Sequence, residues 1–179
     1  MATARNLPVH DTESVHDTAS IRAWQLVREP FTAATWRRSA YAVLALPVGV
    51  ACVPLALLGA PTARWQRTLI HRLLRTDLPG TARRGGLTHA LLATPLNLIT
   101  ALVTLYGWSI VPMNLAWPLR AGSDYSDSWG GPTFAGAWAF HAALGGIGFL
   151  LLMPWLVRGL TAVQLRLATA FLARTQVIG

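Results

Sequence analysis

The chain contains no lysine: all fifteen of its basic residues are arginine. That absence excludes every chemistry built on a lysine amine, from the phosphate-gripping lysine of P-loop and kinase sites to the Schiff base. Cysteine is almost as scarce. The single Cys52 excludes an intramolecular disulfide and a cysteine-based zinc site, and its apolar setting reads as inert packing. Charge is sparse too, at 12% of 179 residues, where a soluble domain carries about 25%. No Asp or Glu interrupts the long apolar runs, which argues against a proton-coupled transporter or an intramembrane acid–base enzyme. No G-x-S-x-G, H-E-x-x-H or glycine-rich nucleotide loop occurs. The expectation is a non-catalytic protein with no cofactor and no metal site.

What the chain has is apolar length. Hydrophobic residues make up 53% of it, with eight Trp. Three stretches carry no charge: 25 residues between Arg38 and Arg64, 35 between Arg84 and Arg120, and 30 between Asp127 and Arg158. About 20 apolar residues cross a bilayer, so each stretch holds one span, at 40–60, 88–117 and 134–157. Pro47, Pro54, Pro95, Pro112 and Pro154 interrupt them, as membrane helices tolerate. Trp36, Trp65, Trp117, Trp129 and Trp155 sit near the stretch ends, where an aromatic belt belongs. Buried helices of a soluble fold are the competing reading, and three such runs in one short chain disfavour it.

Two flanking segments are amphipathic and basic. Residues 62–76 set Trp65, Leu69 and Leu73 against Arg64, Arg67, Arg72 and Arg75, the pattern of a helix lying in the interface. Residues 158–174 repeat it, with Leu160, Val163, Leu167 and Phe171 against Arg158, Arg166 and Arg174. Residues 1–30 are polar, read as disordered over 1–17, and lack the pattern of a signal peptide. The predicted fold is therefore all-α: an integral membrane helical bundle at 31–179, with three apolar segments plus interfacial amphipathic helices.

The net charge of +8 would suit nucleic acid, but arginine-rich cytoplasmic loops beside anionic lipid explain it more simply. No nucleic-acid partner is expected; the lipid bilayer is. Six arginines against Asp77 in 61–86, and three in 157–179, place that loop and the C-terminal tail in the cytoplasm, with 118–133 outside. The first stretch conflicts with this. One crossing puts the N-terminus outside, although Arg22, Arg28, Arg37 and Arg38 precede it. A Pro-broken or re-entrant hairpin around Pro47–Pro54 would satisfy both flanks, yet 20 residues are too few for two crossings.

Small residues mark candidate packing faces: Ala45 and Gly49 in the first stretch, and Ala139, Ala143 and Gly146 in the third. Such faces let backbones approach closely, within the chain or between copies as a homo-oligomer. Asn97, Thr100 and Thr104 form one polar stripe on the second stretch, and His141 stands in the third. Interhelical hydrogen bonding is the simpler reading of all four, ahead of a ligand or pH-sensing role. The HDTESVH segment at 10–16 reads as solvated tail, and the Asp124–Asp127 pair as a polar turn.

From Trp36 the chain resembles a known family. Phe31, Thr35, Trp36, Arg37, Ala40, Tyr41, Leu46, Pro47, Val48 and Gly49 match the opening block of the actinobacterial membrane sensor domain usually found at the N-terminus of two-component histidine kinases. The segment ARWQRTLIHRLL and the closing LLMPWLVRGLTAVQLRLATAFL are similar to that family as well, so the likeness covers about residues 28–175. The family's first block holds two crossings, and this chain has one stretch there. The resemblance implies a cytoplasmic N-terminus, a broken first segment and sensor-like signal transduction. With no kinase before Gly179, the signal would pass to a separate membrane partner. The alternative is a small accessory or structural subunit of a membrane complex such as a transporter; a membrane-embedded enzyme ranks third.

Overall fold

A computed structural model describes residues 24–80, 85–120, 125 and 127–173. Every regular element among them is helical. A short 3₁₀ turn, Glu29–Phe31, leads into α1 (Ala33–Leu57); α2 (Thr62–Leu74), α3 (Gly86–Leu115), α4 (Trp117–Arg120), α5 (Phe134–Phe140) and α6 (Phe149–Leu172) follow. Between α5 and α6, His141–Gly148 is wound in wide π-helical turns, so 134–172 is one continuous rod of 39 residues. Three helices are long and apolar enough to cross a membrane: α1, α3 and that rod. The protein is an all-α helical bundle of multi-pass membrane character.

Local chemistry sets the boundaries. Thr32 caps α1, its hydroxyl accepting from the Thr35 backbone N–H at 3.2 Å. Thr133 does the same for α5 through Gly136 at 3.1 Å. Helix α2 starts after Pro61 and stops where Arg75 turns left-handed at φ 55°. Helix α1 corrects one expectation, because it is continuous through Pro47 and Pro54 rather than broken or re-entrant. Both prolines are exposed on its outer face. Each removes a backbone hydrogen bond without displacing a neighbouring helix. The inner face of Tyr41, Ala42, Ala45, Gly49 and Cys52 stays packed past both.

Helix order along the axis follows from contacts. Ser39 meets Trp108 and Ala45 meets Asn97, so α1 and α3 are antiparallel. Gln164 meets Asn97, and Gly146 faces Leu115, so the third rod is antiparallel to α3 as well. The start of α1 and the end of α6 therefore lie at opposite ends of the bundle. The cytoplasmic N-terminus that the resemblance implies concerns residues 1–23, which lie outside the described residues.

The apolar stretches are also stepped rather than level. Ala42 of α1 clusters with Met153 and Val157 of α6. Arg38, one turn before Ala42, opens the first apolar stretch, while Arg158, next to Val157, closes the third. Both are covered. Arg38 lies 3.8 Å from the Glu29 carboxylate, and the Arg158 guanidinium sits 5.9 Å above the Trp155 ring. Helix α3, with 30 residues, is about 45 Å long and runs past both stretches.

The two amphipathic segments are both helical, and the second is continuous with the third long helix. Helix α2 turns Ala63 and Ile70 into a cluster with Tyr41, Ala45, Ala168 and Leu172 and buries Gln66, leaving Trp65 exposed. Leu69 and Leu73 pack beside that cluster. The 158–174 segment is no separate interfacial helix but the end of α6. It buries Thr161, Gln164, Ala168 and Leu172, and Val163 faces out.

Candidate functional site

A polar seam runs where α1, α2, α3 and α6 meet. Asn97 is its hub. The Asn97 amide donates to the Ala45 carbonyl at 3.0 Å, and its Oδ1 accepts from the Gln164 amide at 2.8 Å. Gly49 makes room for it: a Cβ there would stand 3.1 Å from Asn97 Nδ2. Thr100 and Thr104 continue the stripe, both fully enclosed. Their hydroxyls and Gln164 Oε1 have no hydrogen-bond partner among the described residues. Toward the α2 end, the Gln66 amide donates to the Gly86 carbonyl at 3.3 Å, and its oxygen meets His89 Nδ1 at 2.7 Å. Since Gln66 offers oxygen, His89 Nδ1 is the donor and Nε2 carries the lone pair. Beside this pair lies a cavity of about 20 Å³, lined by Tyr41, Gly49, Gln66, His89 and Asn97. That is room for about one water molecule.

Below the seam, Arg67 ties α2 to the loop that follows it and to the end of α6. Its guanidinium donates to the carbonyls of Leu172 (2.6 Å), Gly80 (2.7 Å) and Leu78. Leu172 is the last residue of α6, so Arg67 satisfies a carbonyl that the helix itself leaves open, at its negative dipole end. Gly85 and Gly86 allow this closeness. A Cβ on Gly85, held at φ 107°, would overlap the Phe171 carbonyl, and one on Gly86 would overlap Thr62 and Ala63.

The remaining candidates are scattered. Gly146 is buried against Leu115, but Ala139 and Ala143 are exposed. His141 stands apart from the seam. It lies at the far end of the bundle, bonded through Nδ1 to the Ala137 carbonyl at 2.8 Å and stacked 5.1 Å from Trp117. Nothing joins it to Asn97, Thr100 and Thr104. The HDTESVH segment and Asp124 fall outside the described residues. Among the described residues no three metal-capable side chains come together.

The sequence reading missed Gln66, His89, Gln164 and Arg67. Gln66 and Gln164 are each the one amide side chain of their helix, which was the available signal. The partners of Arg67 are backbone carbonyls, which leave no trace in sequence. Comparison with protein families, curated proteins and solved structures finds no match for this chain.

Proposed function

We propose that the protein is a non-catalytic, multi-pass membrane protein of sensor type. It perceives the state of the lipid or envelope around it and relays that state to a separate membrane protein, a kinase-like regulator by the resemblance. The Arg67 clamp carries this reading. It ties α2, the basic helix at one end of the bundle, to the last carbonyl of α6. A displacement of α2 reaches the end of the final long helix through Arg67 and through the packing of Ile70 beside Leu172. The arginine-rich 61–86 loop and the end of α6 belong on the cytoplasmic side by the arginine rule, and the start of α1 on the other.

A second reading, an accessory subunit or homo-oligomer, is favoured by one observation. Ala139 and Ala143 are small, exposed and one helical turn apart, a face on which another helix can approach closely. Purification from native membrane in mild detergent, with mass spectrometry of what accompanies the chain, separates the two. A sensor brings a regulatory partner in less than equal amount. A large complex in fixed one-to-one ratio overturns the sensor reading.

A further inference from the structure

Two concavities on α2 share one residue, Thr68. The first is an apolar groove of about 350 Å³ between α1 and α2, walled by Val48, Ala51, Leu55, Trp65 and Leu69, with Arg72 at its edge. That size falls within the roughly 300–1,000 Å³ range of ligand pockets. The second is a polar recess of about 220 Å³ lined by the cations Arg64, Arg67 and His71 and by the carboxylate of Asp77. Arg67 is committed to backbone carbonyls, and His71 Nδ1 lies 2.6 Å from Asp77. Arg64 and Arg72 make no ion pair or side-chain hydrogen bond among the described residues. Helix α2 contains no acidic residue at all. A hydrocarbon-lined groove thus adjoins a recess with spare positive charge, and the two halves demand one ligand with both characters.

We propose that this paired surface binds one anionic phospholipid, an acyl chain lying in the Val48–Leu55–Trp65–Leu69 groove and the phosphate held by Arg64 and Arg72. The charge requires an anion, and the groove requires a chain. A free phosphate uses only the recess; a neutral lipid uses only the groove. The proposal rests on the sensor reading for its consequence, since α2 is also the helix that Arg67 joins to α6. The binding itself stands or falls separately.

The test is native mass spectrometry of the purified full chain, released from nanodiscs of phosphatidylcholine containing a minority of phosphatidylglycerol. Wild type should retain phosphatidylglycerol in preference to phosphatidylcholine. Arg64→Gln and Arg72→Gln should each lower that retention about fivefold, the worth of one arginine near an anionic surface. Ala51→Trp, which fills the groove and leaves every charge in place, should lower it as well. Arg75→Gln removes the same charge outside both concavities and should retain the lipid as wild type does. Glycerol phosphate, the headgroup without chains, should not displace it. Equal losses in Arg75→Gln and Arg64→Gln would mean diffuse charge attraction and overturn the site. An Ala51→Trp variant that binds normally, or displacement by glycerol phosphate, would overturn it too. Failure of lipid retention leaves the partner experiment unaffected, so the two claims fail independently.

Discussion

The Gln164 amide reaches across 67 positions of sequence to donate to Asn97 Oδ1 at 2.8 Å. That bond joins the final helix to the central one, and Asn97 passes the connection to α1 through the Ala45 carbonyl. One amide side chain therefore links three helices. In a medium as apolar as leucine, such polar links and close packing replace the hydrophobic effect as the source of specificity.

If Asn97 is the hub, Asn97→Ala and Gln164→Ala should not be additive. Unfolding in mixed detergent micelles should give a coupling of about 0.6 kcal/mol, and at most about 1.7, as for hydrogen bonds within membranes. Additive effects would show that the two side chains do not act together.

Arg67 gives a sharper test. Arg67→Met keeps much of the side chain's length but leaves the carbonyls of Leu172, Leu78 and Gly80 without their shared donor. Hydrogen bonds to a charged group are each worth about 1.5–3 kcal/mol, so the loss should amount to at least about 2 kcal/mol in the same assay. Arg158→Leu provides the contrast. This exposed arginine meets only the Trp155 ring, and its removal should leave detergent stability unchanged or improved.

Glycine substitutions should report the packing map. Gly146→Leu drives a branched side chain into Leu115 and should reduce yield and melting temperature, whereas exposed Gly148→Leu should be tolerated. Gly85→Ala should be severe despite its size. It combines a left-handed backbone with overlap of the Phe171 carbonyl, for a cost of about 2 kcal/mol or more. Equal tolerance at Gly146 and Gly148 would mean that the opposite side of the third helix is buried.

His141→Leu should cost on the order of 1 kcal/mol, the value of one backbone hydrogen bond and one aromatic stack. A much larger loss of stability, or loss of partner capture with stability intact, would give His141 a role beyond packing.

The elements were legible where charge was absent. The stretch expected at 88–117 became Gly86–Leu115, and the third helix begins at Phe134, because runs free of charge mark where a helix suits lipid. The end of α6 was not legible. Arg158 and Arg166 made 158–174 look like a separate interfacial helix, with Leu160, Val163, Leu167 and Phe171 as its apolar side. It continues the third helix instead: Thr161, Gln164 and Ala168 turn inward, and Val163 faces out. The polar stripe of Asn97, Thr100 and Thr104 was visible from its helical spacing. Its partners were not, because Gln164 lies 67 residues away and Ala45 contributes only a carbonyl. The offset between α1 and α6 was hidden for the same reason, since pattern alone carries no information on axial register.

The most direct test of the whole account is the sidedness of three points. In a Cys52→Ser background, single substitutions Ala4→Cys, Ser126→Cys and Ile178→Cys are labelled in intact cells with a membrane-impermeant maleimide. Three alternating crossings with a cytoplasmic arginine loop require labelling at positions 4 and 126 and protection at 178 until the cells are opened. Protection at position 4, or labelling at 178 in intact cells, would contradict the three-helix topology on which the proposed relay depends.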